Sequence, residues 1–380
     1  MKILHILKLS GIGGVQSQFE VFFNNLTKKE KSSNLILNTS SIDPSYASLK
    51  IHANRFLYKV LILFFSRNIL VHSYNNLISK KFYFFYYITR PRKLIFHERG
   101  NAWNQSFSKK NLAKKNANLS NLILCNSNAA KIILNRKFNI DLAKMKVIYN
   151  GVISDKMIAE AKNIKARKYS GKFVIGFVGR LEINKGVHTL IKSMQNLDNN
   201  EFELNIIGDG SSRAELEKYA VELGVKSIRF FGRVKNAWSK MKNFDVIVVP
   251  SIREPLGNVI IEAALNKVPI IASQVDGIPE IITDKQSGIL IKPTLPVDKR
   301  FITGSVPLPE VVVDVFDNKL IEPKELDPEM VIQEIKYIKA NKDKASEFAD
   351  NLYANVINKF HIKKYTETLF KTYDEVYLMD

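Results

Sequence analysis

One pattern recurs along this chain: a short β-branched or aliphatic run, a glycine or proline stop, then a helical stretch. Asp245-Val-Ile-Val-Val-Pro250 is the plainest case, because proline cannot donate to a strand ladder and ends the run. Lys172–Val178 before Gly179, Glu201–Ile207 before Gly208, Ser227–Phe231 before Gly232, and Val268–Ser273 repeat the pattern. In the N-terminal half the corresponding runs are Met1–Leu7, Lys93–Phe96 and Leu122–Cys125, with Val147–Tyr149 closing the series at Asn150-Gly151. Strands alternating with helices imply parallel, doubly wound α/β sheets. A chain of 380 residues suits two domains. The charged, aromatic-poor stretch Asp155–Ser170 is expected to link them.

One strand–loop–helix segment carries more chemistry than the others. Ser251-Ile-Arg-Glu254-Pro-Leu256-Gly257-Asn258-Val-Ile-Ile-Glu262-Ala sets two glutamates eight positions apart around a Gly-Asn. The strand stops at Pro250 and a helix is predicted over 258–266. Glu254 then lies in the loop, and Glu262 lies about one turn inside the helix on its roughly 3.6-residue period. The N–H groups of Gly257 and Asn258 open the helix, and this positive end suits an anion, above all a phosphate. An anion seat between two carboxylates that can hold hydroxyls describes a nucleotide-sugar site. A solvated helix start would read the same on this segment alone.

A second loop, Gly179-Arg180-Leu-Glu-Ile-Asn-Lys185-Gly186, also follows a strand. Arg180 and Lys185 flank the turn at the strand's C-terminal end, where open α/β sheets bind ligands. Arginine grips phosphate oxygens with a planar fork and lysine adds a point charge. Ordinary surface cations are the plain alternative. In the N-terminal half, Gly11-Ile-Gly13-Gly14-Val-Gln-Ser joins the first strand to an apolar-periodic helix over 19–26. Such a turn lets a ligand approach the backbone, or is simply tight, and it lacks the G-x-G-x-x-G dinucleotide spacing. His97-Glu98-Arg99 ends the strand that starts at Lys93. His97 is either a site residue or a strand-end histidine bonded to backbone.

On the Glu254–Glu262 pair and the Gly179-Arg180 and Lys185-Gly186 loop, the chain resembles retaining glycosyltransferases of family 4, the glycosyl transferases group 1. The resemblance covers residues 172–292 well and the remainder loosely. It implies the GT-B fold, two Rossmann-like doubly wound parallel-sheet domains facing a central cleft. The expected domains are an acceptor-side one over 1–168 and a nucleotide-sugar-binding one over 169–361, with a C-terminal helix at about 362–380 crossing back to the first. By the same resemblance Arg180 and Lys185 hold the diphosphate, Glu254 faces the donor sugar and Glu262 holds the ribose hydroxyls. Leu256, Gly257 and Asn258 complete the seat, the turn at Arg233 and Val234 takes the base, Gly13 and Gly14 line the opposing wall, and His97 contacts the donor sugar or orients the acceptor. Relatives often carry His-Asp where this chain has His97-Glu98-Arg99, which leaves Arg99 as a candidate for a phosphate on the acceptor. Six of the twelve prolines fall within Pro293–Pro328, and the family does not make so long a detour there, so this stretch reads as an insertion.

Charge sets the expected context. Residues 1–170 hold 29 Lys+Arg against 7 Asp+Glu, whereas residues 171–380 hold 28 against 30, a balance of +22 beside −2 that sums to the +20 of the chain. The basic half contains two aromatic-cationic runs, Arg55–Arg67 and Lys80–Lys93, of the kind that suits a lipid interface, although core helix accounts for part of each. Nucleic acid is the competing reading of such charge, but no nucleic-acid motif accompanies it. The expected partners are a nucleoside diphosphate sugar, with UDP-sugar favoured, a glycan or lipid-linked glycan acceptor and an anionic membrane surface, at the cytoplasmic face and without nucleic acid. No metal site and no further cofactor are expected: no His/Cys cluster has ligand spacing and no Asp-x-Asp occurs. The single Cys125 fits a reducing compartment. No signal peptide and no run of 18 apolar residues is read. The leading function is therefore a metal-independent retaining glycosyltransferase of surface-polysaccharide synthesis, such as lipopolysaccharide or O-antigen. The rivals are another enzyme on the same fold, such as a nucleotide-sugar epimerase or a phosphorylase, and a non-catalytic sugar-nucleotide or polyanion-binding protein.

Overall fold

Strands covered on both faces are mostly apolar and, with Glu203, Asn205 and Arg229 among the exceptions, so are most of the runs singled out above. In the computed structural model, which describes residues 1–10, 13–46, 49, 69–165, 171–302 and 306–379, they form two separate six-stranded parallel sheets. Gly11, the run Arg55–Arg67, the linker end 166–170 and Thr303-Gly-Ser lie outside the described residues.

The chain divides into two compact units, Met1–Ser154 with Phe360–Asp380, and Asp155–Lys359. The first unit contains strands β1 (Lys2–Leu7), β2 (Asn34–Asn38), β3 (Ile69–Tyr74), β4 (Lys93–Glu98), β5 (Leu122–Cys125) and β6 (Met145–Val147), in the order β2-β1-β3-β4-β5-β6. The second contains β7 (Phe173–Val178), β8 (Phe202–Ile207), β9 (Ile228–Phe230), β10 (Val246–Val249), β11 (Ile270–Ser273) and β12 (Ile289–Ile291), in the order β12-β11-β10-β7-β8-β9. Each order reverses once, between β1 and β3 in the first sheet and between β7 and β10 in the second. Connections leave the sheet in opposite directions at such a point and open a crevice at the strands' C-terminal ends.

Several boundaries differ from the sequence reading, each for a local reason. The segment expected to be a linker forms a helix over Asp155–Asn163. The Lys242 ammonium donates to the Ala161 carbonyl at 3.2 Å, which fastens that helix to the second unit. The division thus falls after Ser154 rather than near 168. The expected C-terminal helix is Ile362–Leu378, set off from a separate helix, Lys342–Lys359, before it. Between them the Phe360 carbonyl accepts the N–H groups of Val152 and Ile153 at 2.9 and 3.1 Å, and the His361 ring accepts the Lys363 N–H at 3.2 Å. Ile362–Leu378 belongs to the first unit, where Tyr365, Leu369, Tyr373 and Val376 join Leu7, Phe19, Phe22 and Ile95 in one core. Within Pro293–Pro328 the chain makes two small antiparallel ladders, Leu295–Pro296 with Lys324–Glu325 and Val312–Asp314 with Lys319–Ile321.

Polar residues also run through the core of the first unit. His5 Nε2 meets Asn34 Oδ1 at 2.8 Å, His72 Nδ1 meets Tyr373 Oη at 2.6 Å, and His72 Nε2 meets His97 Nδ1 at 3.1 Å. All three rings are buried. Burial lowers His5 to about 4 and holds His72 and His97 well below the usual histidine range, so the rings are neutral at pH 7.

Candidate functional site

In the second unit the loops that follow β7, β8, β9 and β10 are knitted into one rim. Gly179 N–H donates to Ile207 O at 3.0 Å, Leu181 N–H to Asp209 O at 3.0 Å, and Gly208 N–H to Gly232 O at 2.8 Å. Across the reversal point, Ile252 and Arg253 N–H donate to Asn184 O at 3.0 and 3.2 Å. Gly186, at φ +63°, makes this approach possible: a Cβ there would stand 1.9 Å from the Pro250 carbonyl oxygen. The loop bearing Arg180 and Lys185 is thus pinned to the loop bearing Glu254.

The side chains meet where the backbones do. Lys185 Nζ lies 2.5 Å from Glu254 Oε2, with both side chains largely covered. Arg180 is exposed on the same turn and makes no ion pair with any described residue. The Glu254-Pro-Leu256 turn ends at Gly257, which sits at φ +108° and is the N-cap of the helix Asn258–Leu265. No side chain caps that helix and no acidic residue occupies its first turn, so the positive end of its dipole faces the rim without an opposing carboxylate of its own. Arg233 and Val234 follow β9 on the same rim, beyond Gly232, and Arg233 is exposed. Ser212 occupies the N-cap position of Arg213–Glu222 without a side-chain capping bond, while Ser211 Oγ donates to Glu182 Oε2 at 2.6 Å.

Glu262 lies one turn into the helix and makes no side-chain hydrogen bond or ion pair with a described residue. Burial raises its carboxyl from 4.5 to about 7. A carboxyl held in this way gains most from donors brought by a ligand, and a pair of hydroxyls supplies them.

One residue that the sequence reading passed over organises the turn. Asp276 is fully buried at φ +48°, and its carboxylate accepts the N–H of Glu254 at 2.9 Å and of Val313 at 2.7 Å. The next residue, Gly277, returns an N–H to Glu254 O at 3.0 Å. Asp276 therefore clamps Glu254 and ties its turn to the inserted ladder Val312–Asp314. An aspartate before glycine reads as an ordinary turn residue, and only the fold brings residues 254, 276 and 313 together.

In the first unit Gly13 caps the helix Gly14–Asn24 from an extended conformation, at φ −157°. The helix starts earlier than the apolar periodicity suggested. His97 is buried in β4, stacked on His72 with ring centroids 5.2 Å apart, and its Nε2 has no hydrogen-bond partner among the described residues. Among the described residues no group of three or more His, Cys, Asp or Glu is placed to hold a metal ion.

The rim just described lies inside the one segment of the chain that a family model matches. Residues 159–302 match the family model described as Glycosyl transferases group 1. An uncharacterized glycosyltransferase of Methanocaldococcus jannaschii is 36% identical over 170 residues, which cover 42% of this chain and 44% of that protein. LpsE of Rhizobium meliloti, a lipopolysaccharide core biosynthesis glycosyltransferase, is 34% identical over 119 residues, covering 31% and 34%. The matched stretches span less than half the length of these relatives. Across the whole chain, the structure of Anabaena HepE in complex with UDP-glucose superposes with a TM-score of 0.75 at 18% identity, covering 99% of this chain and 100% of that one. The fold is that of the GT-B glycosyltransferases, with two Rossmann-like α/β units, and the second unit carries the group 1 segment.

The raised Glu262 carboxyl gives a test that needs no substrate. The folded group keeps its proton up to about pH 7, whereas an unfolded one releases it near 4.5. The folded state then binds more protons across that window, so stability falls as pH rises through it. Between pH 5 and 8 the wild-type chain should lose on the order of 2–3 kcal/mol that Glu262→Gln does not lose, measured by denaturant unfolding at each pH. Parallel curves for the two proteins would contradict the burial of that charge.

Proposed function

We propose that this chain is a retaining glycosyltransferase that moves a sugar from a nucleoside diphosphate sugar, with a UDP-sugar as the favoured donor, to a glycan or lipid-linked glycan. The observation that carries the reading is the Lys185–Glu254 contact at the strand-order reversal, beside an uncapped helix start and the unpaired Arg180. The diphosphate would lie on Arg180, Lys185 and the N–H groups that open Asn258–Leu265. Glu254 would orient the donor sugar, and Glu262 would accept the ribose hydroxyls. Arg233 and Val234 would border the base. Cations and backbone dipoles fixed before the reaction stabilise charge as it grows on the leaving diphosphate, in the role a metal takes in other transferases. The acceptor hydroxyl would attack the anomeric carbon on the face the diphosphate leaves, its proton passing to a diphosphate oxygen. The new glycosidic bond then replaces the sugar–phosphate bond with retention. No cofactor beyond the donor is needed. The likeness to a protein named for lipopolysaccharide core biosynthesis supports a surface-polysaccharide acceptor.

Arg180→Ala and Lys185→Ala should each lower kcat about 10²–10³-fold. Wild-type turnover should persist in excess EDTA. Donor consumption and product formation across a panel of UDP-, GDP- and ADP-sugars measure both. Undiminished turnover in both variants, or a loss in EDTA that Mg²⁺ restores, would remove this mechanism.

We also place the enzyme on the cytoplasmic face of an anionic membrane. Helix Lys80–Thr89 exposes Phe84, Tyr87 and Ile88 at 51%, 50% and 74%, at positions that share one side of a helix. Lys80, Lys81, Arg90 and Arg92 are exposed around them, and Lys115 of the helix Lys110–Leu119 lies 5.9 Å over the Tyr83 ring. Apolar side chains ringed by cations fit an anionic lipid surface, where each cation adds about 1 kcal/mol. No helix among the described residues is long and apolar enough to cross a membrane. Flotation with phosphatidylglycerol-containing vesicles should recover the protein at low salt, and Phe84→Ser with Ile88→Ser should reduce recovery at least several-fold. Equal recovery with neutral vesicles would sink the claim.

A further inference from the structure

Arg99 follows β4 and is 6% exposed. Its guanidinium donates to Gln18 Oε1 at 2.6 Å and to Asn150 Oδ1 at 2.8 Å, and its backbone N–H donates to Asn75 Oδ1 at 2.8 Å. All three partners are neutral amides. No carboxylate of a described residue pairs with Arg99, and the residues outside the description contain no Asp or Glu except Asp380. A buried cation is ordinarily matched by an anion, because removing it from water is costly and neutral acceptors only partly compensate.

Three buried nitrogens, Arg99 Nε, Gln18 Nε2 and His97 Nε2, make no close hydrogen bond with a described residue, and Tyr365 Oη, in the same state, faces the Gln18 amide and the Arg99 charge. The third nitrogen is a donor or an acceptor according to the tautomer of the His72–His97 pair, so the two donors fixed by their chemistry are those of Arg99 and Gln18. Burial first, and Arg99 second, keep that ring neutral. Gln18 stands on the helix that leaves β1, and His97 and Arg99 stand at the end of β4, one strand beyond the β1–β3 reversal. Ligands collect at that edge of an open parallel sheet.

We propose that Arg99, Gln18 and His97 form an oxyanion seat in the first unit, separate from the diphosphate seat of the second, and that it takes a phosphate or carboxylate carried by the acceptor. Only the word "acceptor" rests on the transferase reading; the seat itself does not. The seat supplies one permanent charge and N–H groups that make no close hydrogen bond with a described residue, and an oxyanion with several lone pairs would satisfy them. Asn150 fixes the second arm of the guanidinium and is a positioning residue.

The test uses the full chain saturated with UDP, so that the second unit's seat is filled, at constant ionic strength set with NaCl. Inorganic phosphate, glucose 6-phosphate and glucuronate are titrated by calorimetry and thermal melting, with glucose as the neutral control. The seat predicts saturable binding of phosphate that survives Arg180→Ala with Lys185→Ala and weakens at least tenfold in Arg99→Lys. A preference for glucose 6-phosphate over glucuronate would mark a phosphorylated acceptor, and the reverse an acidic sugar. Gln18→Glu separates a seat from a merely structural arginine. It supplies the missing counter-ion, so it should raise Tm while abolishing the phosphate response, and it keeps the test decisive should Arg99→Lys fail to fold. No saturable response in the UDP-saturated wild type, or an undiminished one in Gln18→Glu, overturns the proposal. Loss of sugar transfer with phosphate binding intact would count against the transferase reading and leave the seat standing.

Discussion

The candidate site depends on one buried carboxylate, that of Asp276. It holds the Glu254 N–H with one oxygen and the Val313 N–H with the other, and so fixes the turn on which Glu254 stands. Without it, two buried N–H groups would go unpaired, each at roughly 1–3 kcal/mol, and Glu254 would lose its fixed place opposite Lys185. The inserted ladder Val312–Asp314 therefore supports the site from behind. Gly186 completes the arrangement by letting the cationic loop touch the glutamate loop at Pro250. Two loops from opposite sides of the strand-order reversal are locked before any ligand arrives, which is the condition for charge stabilisation without reorganisation.

The first unit solves a different problem with the same economy of contacts. Its core is not purely apolar: His5, His72, His97, Tyr74 and Tyr373 lie within it, joined by hydrogen bonds and ring contacts. Such a network is tolerable only when its members satisfy one another. The C-terminal helix contributes Tyr373 to it, so the last stretch of chain is structurally part of the first unit. The network ends at His97 and Arg99, each with a buried nitrogen that makes no close hydrogen bond to a described residue.

Much of the architecture was legible in the sequence because it rests on local rules. The run Val246–Val249 cut off at Pro250, and glycines such as Gly179 and Gly208 after strands, mark the ends of parallel strands without further information. The positions of Glu254, Glu262, Arg180 and Lys185 on loops and a helix start followed from the same reasoning. What escaped was non-local. Nothing in Asp276-Gly-Ile-Pro279 tells of bonds to residues 254 and 313, and nothing around Asp155 shows that its helix is tied to Lys242. His97 was recognised by its place at a strand end, but its burial against His72 required the pairing of β3 with β4.

The central claim is that one rim, running from Arg233 through Arg180 and Lys185 to Glu254 and Glu262, receives a nucleoside diphosphate. A crystal structure of the chain with UDP tests it most directly. The account predicts diphosphate oxygens within hydrogen-bonding distance of Arg180, Lys185 and the N–H groups at Gly257–Asn258, with the ribose hydroxyls on Glu262. UDP bound elsewhere, or a ribose turned away from Glu262 with the diphosphate off the helix start, would contradict it.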